Sequence, residues 1–125
     1  MTLRFEDKWE KAISPSDHEE FNKVHQRFPI KSNELLFAPV RVAMNHNGAL
    51  LATVLILNGY KSNWRLYERA IQYVESTDIV AEGSFTRESL EIPSQSAVPW
   101  TFIFPSSSFL RAPSFQDWKI TQQKP

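Results

Sequence analysis

Apolar residues first recur at helical spacing. Phe21, Val24 and Phe28 are three and four residues apart, which places them on one face of a helix. Pro15 suits the first helical position, acidic residues follow in the first turn, and a proline directly after the segment ends it. The pattern predicts a helix over residues 15–28 that packs its apolar stripe against the rest of the protein.

Alternating apolar positions then predict a strand, a tight turn and a second strand. Residues 35–44 contain Pro39, which indicates an edge strand or a bulge. Asn45-His46-Asn47-Gly48 is typical of a hairpin loop, because Asn and Gly tolerate positive φ. Residues 49–57 are apolar on both faces, so we expect a central strand. The apolar set expected on one face of residues 35–44 consists of Leu36, Ala38, Val40, Val42 and Met44.

Residues 64–75 fit two patterns. Trp64, Tyr67, Ile71 and Val74 would form a helical stripe, yet the segment is also rich in strand-forming residues. We predict a strand, because the neighbouring elements are strands and the family resemblance given below indicates one.

Three further strands are predicted over residues 78–86, 98–104 and 116–121, with a polar connection over 87–97. Several short strands separated by turn signals are typical of an antiparallel β-sandwich. The expected fold is therefore mainly β, preceded by one N-terminal helix.

Length and charge agree with one domain and limit the classes of partner. The 125 residues show no change of composition and no repeat, so we expect a single domain over residues 1–125. It comprises an arm over 1–13, the helix, and a β body over 35–121. Lys and Arg total 14, as do Asp and Glu, which argues against nucleic-acid binding through a basic surface.

The ends of the chain and its apolar runs indicate the compartment. Charges interrupt the first eight residues, so no signal-peptide core is present there. The longest apolar run, over residues 49–57, is too short to cross a bilayer as a helix. We expect a cytoplasmic protein without a membrane span. The absence of cysteine excludes disulfides, thiolate metal sites and a cysteine nucleophile.

No pattern points to catalysis, a metal or a cofactor. His18 and His25 are two helical turns apart, too far for a metal pair on adjacent turns, and His46 lies in the hairpin loop. Three glycines cannot form a phosphate-binding loop, and no Gly-x-Ser-x-Gly motif occurs. We therefore expect no enzyme. Two carboxylate pairs lie in polar stretches and are expected to be solvated: Glu19 with Glu20, and Glu88 with Glu91.

Four tryptophans offer an alternative function. Exposed aromatic rings can stack on sugars, so a carbohydrate- or cell-wall-binding β-sandwich is the second hypothesis. Trp100 and Trp118 lie on alternating apolar faces and are expected in the core, and Trp9 is expected to anchor the arm. Trp64, which is near Tyr60, Lys61 and Arg65, is the tryptophan we expect to be most exposed.

A specific motif follows Ile92 and Pro93. It runs Pro99-Trp100-Thr101-Phe102-Ile103-Phe104. The segment resembles the SLAP domain of Gram-positive, bacillus-type bacteria, named for the S-layer assembly protein of the accessory Sec system. Three weaker matches keep the family's order: residues 28–35, 51–58 and 117–120. Leu57 stands where the family has Arg, residues 75–78 lack its hairpin glycine, and the assembly protein carries two such domains.

The resemblance implies a non-catalytic, immunoglobulin-like β-sandwich that binds a protein in the cytoplasm or at the inner membrane surface. The implied partners are a secretion ATPase, such as the accessory SecA, or exported S-layer-type clients. No catalytic or partner-binding residue is carried over. The motif residues look structural: Trp100, Phe102, Phe104 and Trp118 in the core, with Pro93 and Pro99 shaping the loop. Such a module would present an open sheet edge or a loop face to an extended client. Because Pro39 would blunt the edge at 35–44, we expect the opposite edge to serve.

Overall fold

One helix and nine strands make up the computed structural model, which describes residues 2–3 and 15–123. Most of the predicted arm over 1–13 lies outside the described residues. The mainly β class with one N-terminal helix is confirmed. The elements are β1 (Thr2–Leu3), α1 (Pro15–Arg27), β2 (Leu35–Met44), β3 (Leu50–Asn58), β4 (Trp64–Arg65), β5 (Arg69–Glu75), β6 (Asp78–Phe85), β7 (Glu91–Ile92), β8 (Ser96–Phe104), a 3-10 turn (Ser106–Ser108) and β9 (Trp118–Gln122).

The first sheet has the strand order β1-β8-β3-β2. Strand β3 pairs antiparallel with both β2 and β8, so the predicted central strand is confirmed. β1 runs parallel to β8. In the part of the chain that the structure describes, β2 is an edge of this sheet, as Pro39 indicated.

The second sheet has the order β6-β5-β9 and is antiparallel. The strand predicted over 64–75 is confirmed in part: β4 and β5 lie within it, but a bend at Tyr67 and Glu68 separates them, and Glu68 adopts a φ of 48°. The polar connection predicted over 87–97 is wrong in part. It contains β7, which pairs with β4, and buried Leu90 and Ile92. β8 also begins at Ser96, inside that predicted connection.

All three sheets, the third being the β4–β7 pair, contribute side chains to one buried cluster. The ring of Phe85 meets the rings of Phe102 and Phe104 at centroid distances of 5.2 and 5.1 Å. Trp100 and Trp118, predicted to lie in the core, are half-buried and pack against the surface of this cluster. Its buried members include Leu50, Val54, Ile56, Ile71, Tyr73, Val80, Phe102, Phe104 and Ile120. The immunoglobulin-like arrangement stays a prediction.

Helix α1 packs on the other face of the first sheet. Phe21 and Val24 are buried and Phe28 is half-buried, as the helical stripe predicted. Val24 joins a second cluster with Leu55 and Leu57 of β3. The helix ends at Arg27, one residue before the predicted end.

A bulge in β2 changes which side chains face the core. The β2–β3 register shifts between Pro39 and Arg41. Before the bulge, Phe37 faces the buried cluster between the sheets and Ala38 faces the helix. After the bulge, Val42 faces the cluster between the sheets. The predicted single face from Leu36 to Met44 is therefore wrong, because one extra residue inverts the alternation.

Candidate functional site

A mainly apolar cleft of about 230 Å³ lies between β2, an edge strand of the first sheet, and β9, an edge strand of the second. Its lining residues carry no formal charge. They are Leu35, Leu36, Phe37, Tyr60, Ile120, Thr121 and Gln122. Leu36 and Tyr60 form an exposed rim, with 39% and 36% of their surface accessible. Exposed apolar groups grouped at a cleft are typical of contact with another molecule.

Asn58 positions the rim at Tyr60. This buried side chain donates from Nδ2 to the carbonyls of Ser62, Ile92 and Pro93 at 3.1, 2.9 and 3.3 Å. Its Oδ1 accepts the backbone N–H of Tyr60 at 2.9 Å. One amide therefore fixes the start of the loop after β3, which carries Tyr60.

Gly59 brings the segment before β2 against the same loop. Its N–H donates to the carbonyl of Glu34 at 2.8 Å, and its carbonyl accepts from the N–H of Asn33 at 2.7 Å. A Cβ at this position would overlap the carbonyl of Lys31 and lie 2.8 Å from that of Glu34. Only glycine permits this approach, which holds Leu35 and Tyr60 beside the cleft.

The β9 side of the cleft is partly polar. Thr121 donates its hydroxyl to Oε1 of Gln72 at 3.2 Å. The side-chain oxygen Oε1 of Gln122 is buried, and no donor within residues 15–123 reaches it. The lining therefore combines apolar side chains of β2 and β9 with the polar side chains of Tyr60, Thr121 and Gln122.

A second polar arrangement surrounds Glu75, which is buried with only 8% of its surface accessible. Its carboxylate accepts from the Tyr73 hydroxyl at 2.7 Å, the Ser114 N–H and hydroxyl at 3.0 Å, and the Phe115 N–H at 2.7 Å. Burial alone would raise the pKa of Glu75, but these hydrogen bonds outweigh it and lower the pKa. An ionised carboxylate whose oxygens are occupied in this way fastens the loop before β9 to β5.

Sequence reasoning missed Glu75. Glu75 lies on the core-facing side of β5, two residues after Tyr73 and four after Ile71. That alternation is the signal that could have located it. The loop that supplies its donors is about forty residues away in sequence, which no local pattern reveals.

The prediction that Trp64 is exposed is wrong. Trp64 is buried, meets Phe37 edge-on at 6.0 Å, and carries the guanidinium of Arg69 at 5.0 Å from its ring. Trp64 and Leu66 face inward and Arg65 between them is exposed, as strand alternation requires. Of the patch expected there, Tyr60 is exposed and lines the cleft.

The structure does not bring the other candidate residues together. His25 is half-buried, His46 is exposed, and the side chain of His18 and all of Trp9 lie outside what is described. Across the described residues no group of three or more His, Cys, Asp or Glu could hold a metal. Of the four carboxylates, Glu19, Glu88 and Glu91 are exposed, whereas Glu20 is half-buried and pairs with Arg41 at 3.2 Å.

These features define a small, mainly β domain, antiparallel except for the β1–β8 pair, with an open cleft between two sheet edges. The family model of the SLAP domain matches residues 3–124, and the chain belongs to that family. None of the curated proteins and none of the solved structures matches it. Among the described residues no helix is long and apolar enough to span a membrane.

Proposed function

We propose that this protein is a non-catalytic protein-interaction module, an accessory factor in protein export or in assembly of the S-layer and cell envelope. Membership of the SLAP domain family supports an S-layer-associated or accessory role. The proposed partner is a secretion ATPase or an exported client. The proposed place is the cytoplasm, including the inner surface of the membrane.

The cleft between β2 and β9 is the observation that carries this proposal. Its rim exposes Leu36 and Tyr60, while buried Phe37 and Ile120 form its floor. Protein interfaces commonly combine such an apolar centre with aromatic contacts. The uncharged lining favours an apolar polypeptide over a nucleic acid or a charged metabolite.

The carbohydrate-binding alternative requires adjacent exposed aromatic rings. The exposed aromatics in residues 15–123 are Tyr60, Tyr67 and Phe115. The aromatic contacts seen there involve other residues, such as Tyr73 with Trp118 and Phe37 with Phe102. No described observation therefore favours this alternative over protein binding.

Site-specific photo-crosslinking in the native host tests the proposed function. A photoreactive amino acid replaces Leu36 or Tyr60 at the cleft rim, and Tyr67 serves as the matched control because it is exposed but does not line the cleft. We expect a secretion ATPase or an exported envelope protein to be cross-linked from both rim positions and not from Tyr67. Recovery of no such protein, or equal recovery from Tyr67, would overturn the proposal.

A further inference from the structure

Asparagine precedes glycine at two places in the chain, Asn47-Gly48 and Asn58-Gly59. Such a pair is chemically labile. The backbone nitrogen of the glycine can attack the side-chain carbonyl carbon of the asparagine, because glycine has no Cβ to hinder the approach or to restrict φ and ψ. The structure places the two pairs in opposite surroundings, so their reactivity should differ.

The first pair lies in the loop between β2 and β3, where Asn47 is exposed. The side-chain amide of Asn47 has no hydrogen-bond partner among the described residues. Gly48 adopts a φ of 79°, and a Cβ built on it would meet no atom within 4 Å. The side chain of Asn47 is therefore free to turn toward the Gly48 nitrogen, and water can reach the site.

The second pair is fixed in place. Asn58 is 0% accessible, its Nδ2 atom donates three hydrogen bonds to backbone carbonyls, and its Oδ1 atom accepts one from the N–H of Tyr60. The N–H of Gly59 donates to the carbonyl of Glu34 at 2.8 Å. Turning the Asn58 amide toward the Gly59 nitrogen would break its hydrogen bonds inside the protein, where nothing replaces them. We therefore expect Asn58 to keep its amide.

The side chain of Asn45 restrains the exposed pair. Its Oδ1 atom accepts the N–H groups of Asn47 and Ala49, each at 2.9 Å, and its backbone carbonyl accepts the N–H of Gly48 at 3.0 Å. These hydrogen bonds hold the peptide units around Asn47 and keep the Gly48 nitrogen engaged. Attack by that nitrogen therefore requires local opening of the loop, which costs less free energy than opening of the strands it joins.

We propose that Asn47 is a site of spontaneous deamidation, which proceeds when the loop opens, and that Asn45 limits its rate. The Gly48 nitrogen loses its proton to a base in the solvent and forms a bond with Cγ of Asn47. The bond from Cγ to Nδ2 breaks, Nδ2 leaves as ammonia, and a cyclic imide results. Water then opens the imide at either carbonyl and gives aspartate or isoaspartate. Over both steps water is consumed and ammonia is released, and no group is oxidised or reduced.

The modification changes the charge and the backbone of the loop. It adds a negative charge to a chain whose formal net charge is +0. Aspartate tolerates the same turn conformations as asparagine, whereas isoaspartate lengthens the backbone and moves the Gly48 N–H away from the Asn45 carbonyl. The loop lies at the end of β2 opposite to the cleft residues 35–37, so this proposal and the proposed binding function stand or fall separately.

Mass spectrometry of the protein after incubation at mildly alkaline pH tests the site. Cleavage after leucine separates the two pairs, because Leu50 and Leu51 lie between them. In the folded protein Asn47 should convert about tenfold or more faster than Asn58, which reacts only after a much rarer opening. In concentrated urea the two rates should agree within about threefold, because the unfolded chain exposes both pairs. In water labelled with heavy oxygen, the product at position 47 should carry the label. Equal rates in the folded protein, or no conversion at Asn47, would overturn the proposal.

Substitution of Asn45 tests the restraint. Asn45→Ala removes the side-chain acceptor of the Asn47 and Ala49 N–H groups and should speed conversion at Asn47 about fivefold, the effect of losing one net hydrogen bond on loop opening. The rate at Asn58 should stay the same within about twofold and serves as the internal control. Asn22→Ala, at an exposed position of α1, is the matched control variant and should leave both rates unchanged. An unchanged rate at Asn47, or an equal rise at both pairs, would refute the role of Asn45.

Discussion

The hydroxyl of Tyr73 donates a 2.7 Å hydrogen bond to the carboxylate of Glu75, and both residues are buried on the core side of β5. The pKa of Tyr73 is raised, first by burial and then by the hydrogen bond to Glu75 and its negative charge. The pKa of Glu75 is lowered, because four hydrogen bonds outweigh the effect of burial. Near neutral pH the pair therefore consists of a neutral phenol and an ionised carboxylate, which also holds Ser114 and Phe115.

Replacing the Glu75 carboxylate should loosen this fastening. Glu75→Gln places an amide N–H₂ among donors that all need an acceptor, so some of the donors from Tyr73, Ser114 and Phe115 lose their partner. We expect the free energy of unfolding to fall by about 2 kcal/mol, measured by urea denaturation. Glu82→Gln, at an exposed position of β6, should change it by less than about 0.5 kcal/mol. Equal losses in the two variants would show that the buried hydrogen bonds contribute nothing specific.

Stability should depend on acid pH through the same carboxylate. Because the pKa of Glu75 is lowered in the folded state, its contribution is present above the ordinary value of 4.5 and is lost as the pH falls through the folded-state pKa. The difference in unfolding free energy between wild type and Glu75→Gln should therefore shrink below that value. Urea titrations from about pH 7 to about pH 3 measure it. A constant difference across this range would contradict the assignment.

Asn58 should be intolerant of its acid counterpart. In Asn58→Asp a carboxylate oxygen replaces Nδ2 and faces the carbonyls of Ser62, Ile92 and Pro93. We expect a loss of about 3 kcal/mol or more, because a buried charge would lie among acceptors. Asn22→Asp, on the exposed face of α1, is the control and should be close to neutral. Thermal unfolding of the two variants measures this difference. Equal midpoints would refute the role given to the Asn58 amide.

Two glycines should respond oppositely to alanine. A Cβ at Gly59 would overlap backbone of Lys31 and approach that of Glu34, so the segments must separate. We expect Gly59→Ala to cost about 3 kcal/mol. At Gly83 the nearest atom is 3.4 Å away, in the Phe85 side chain, and alanine should be neutral or stabilising by about 0.5 kcal/mol. Similar chemical denaturation midpoints for the two variants would disprove the proposed close approach.

Local pattern sufficed where neighbours in sequence are neighbours in space. The helix over 15–28 and the Asn45–Gly48 loop were predicted because their stabilising contacts are short-range. In the loop, Oδ1 of Asn45 accepts the N–H groups of Asn47 and Ala49 at 2.9 Å, and Gly48 adopts a φ of 79°.

The missed features depend on distant segments. Trp64 is buried because Phe37, from another sheet, covers it, whereas the charged residues beside it in sequence suggested solvent. The cleft forms from β2 and β9, which lie far apart in the sequence. Neither relation leaves a periodic signal. The bulge after Pro39 was foreseen as one of two options, but the inversion of faces beyond it was not.

The strand order has a kinetic consequence. β3 meets β2 across a short hairpin, but its other neighbour, β8, arrives only when Phe104 pairs with Leu50. Closing so long a loop costs entropy before any contact compensates for it, which slows folding. During synthesis the nascent chain must therefore carry a strongly apolar, half-paired strand until nearly all of the domain has been translated. Aggregation competes with folding during that interval.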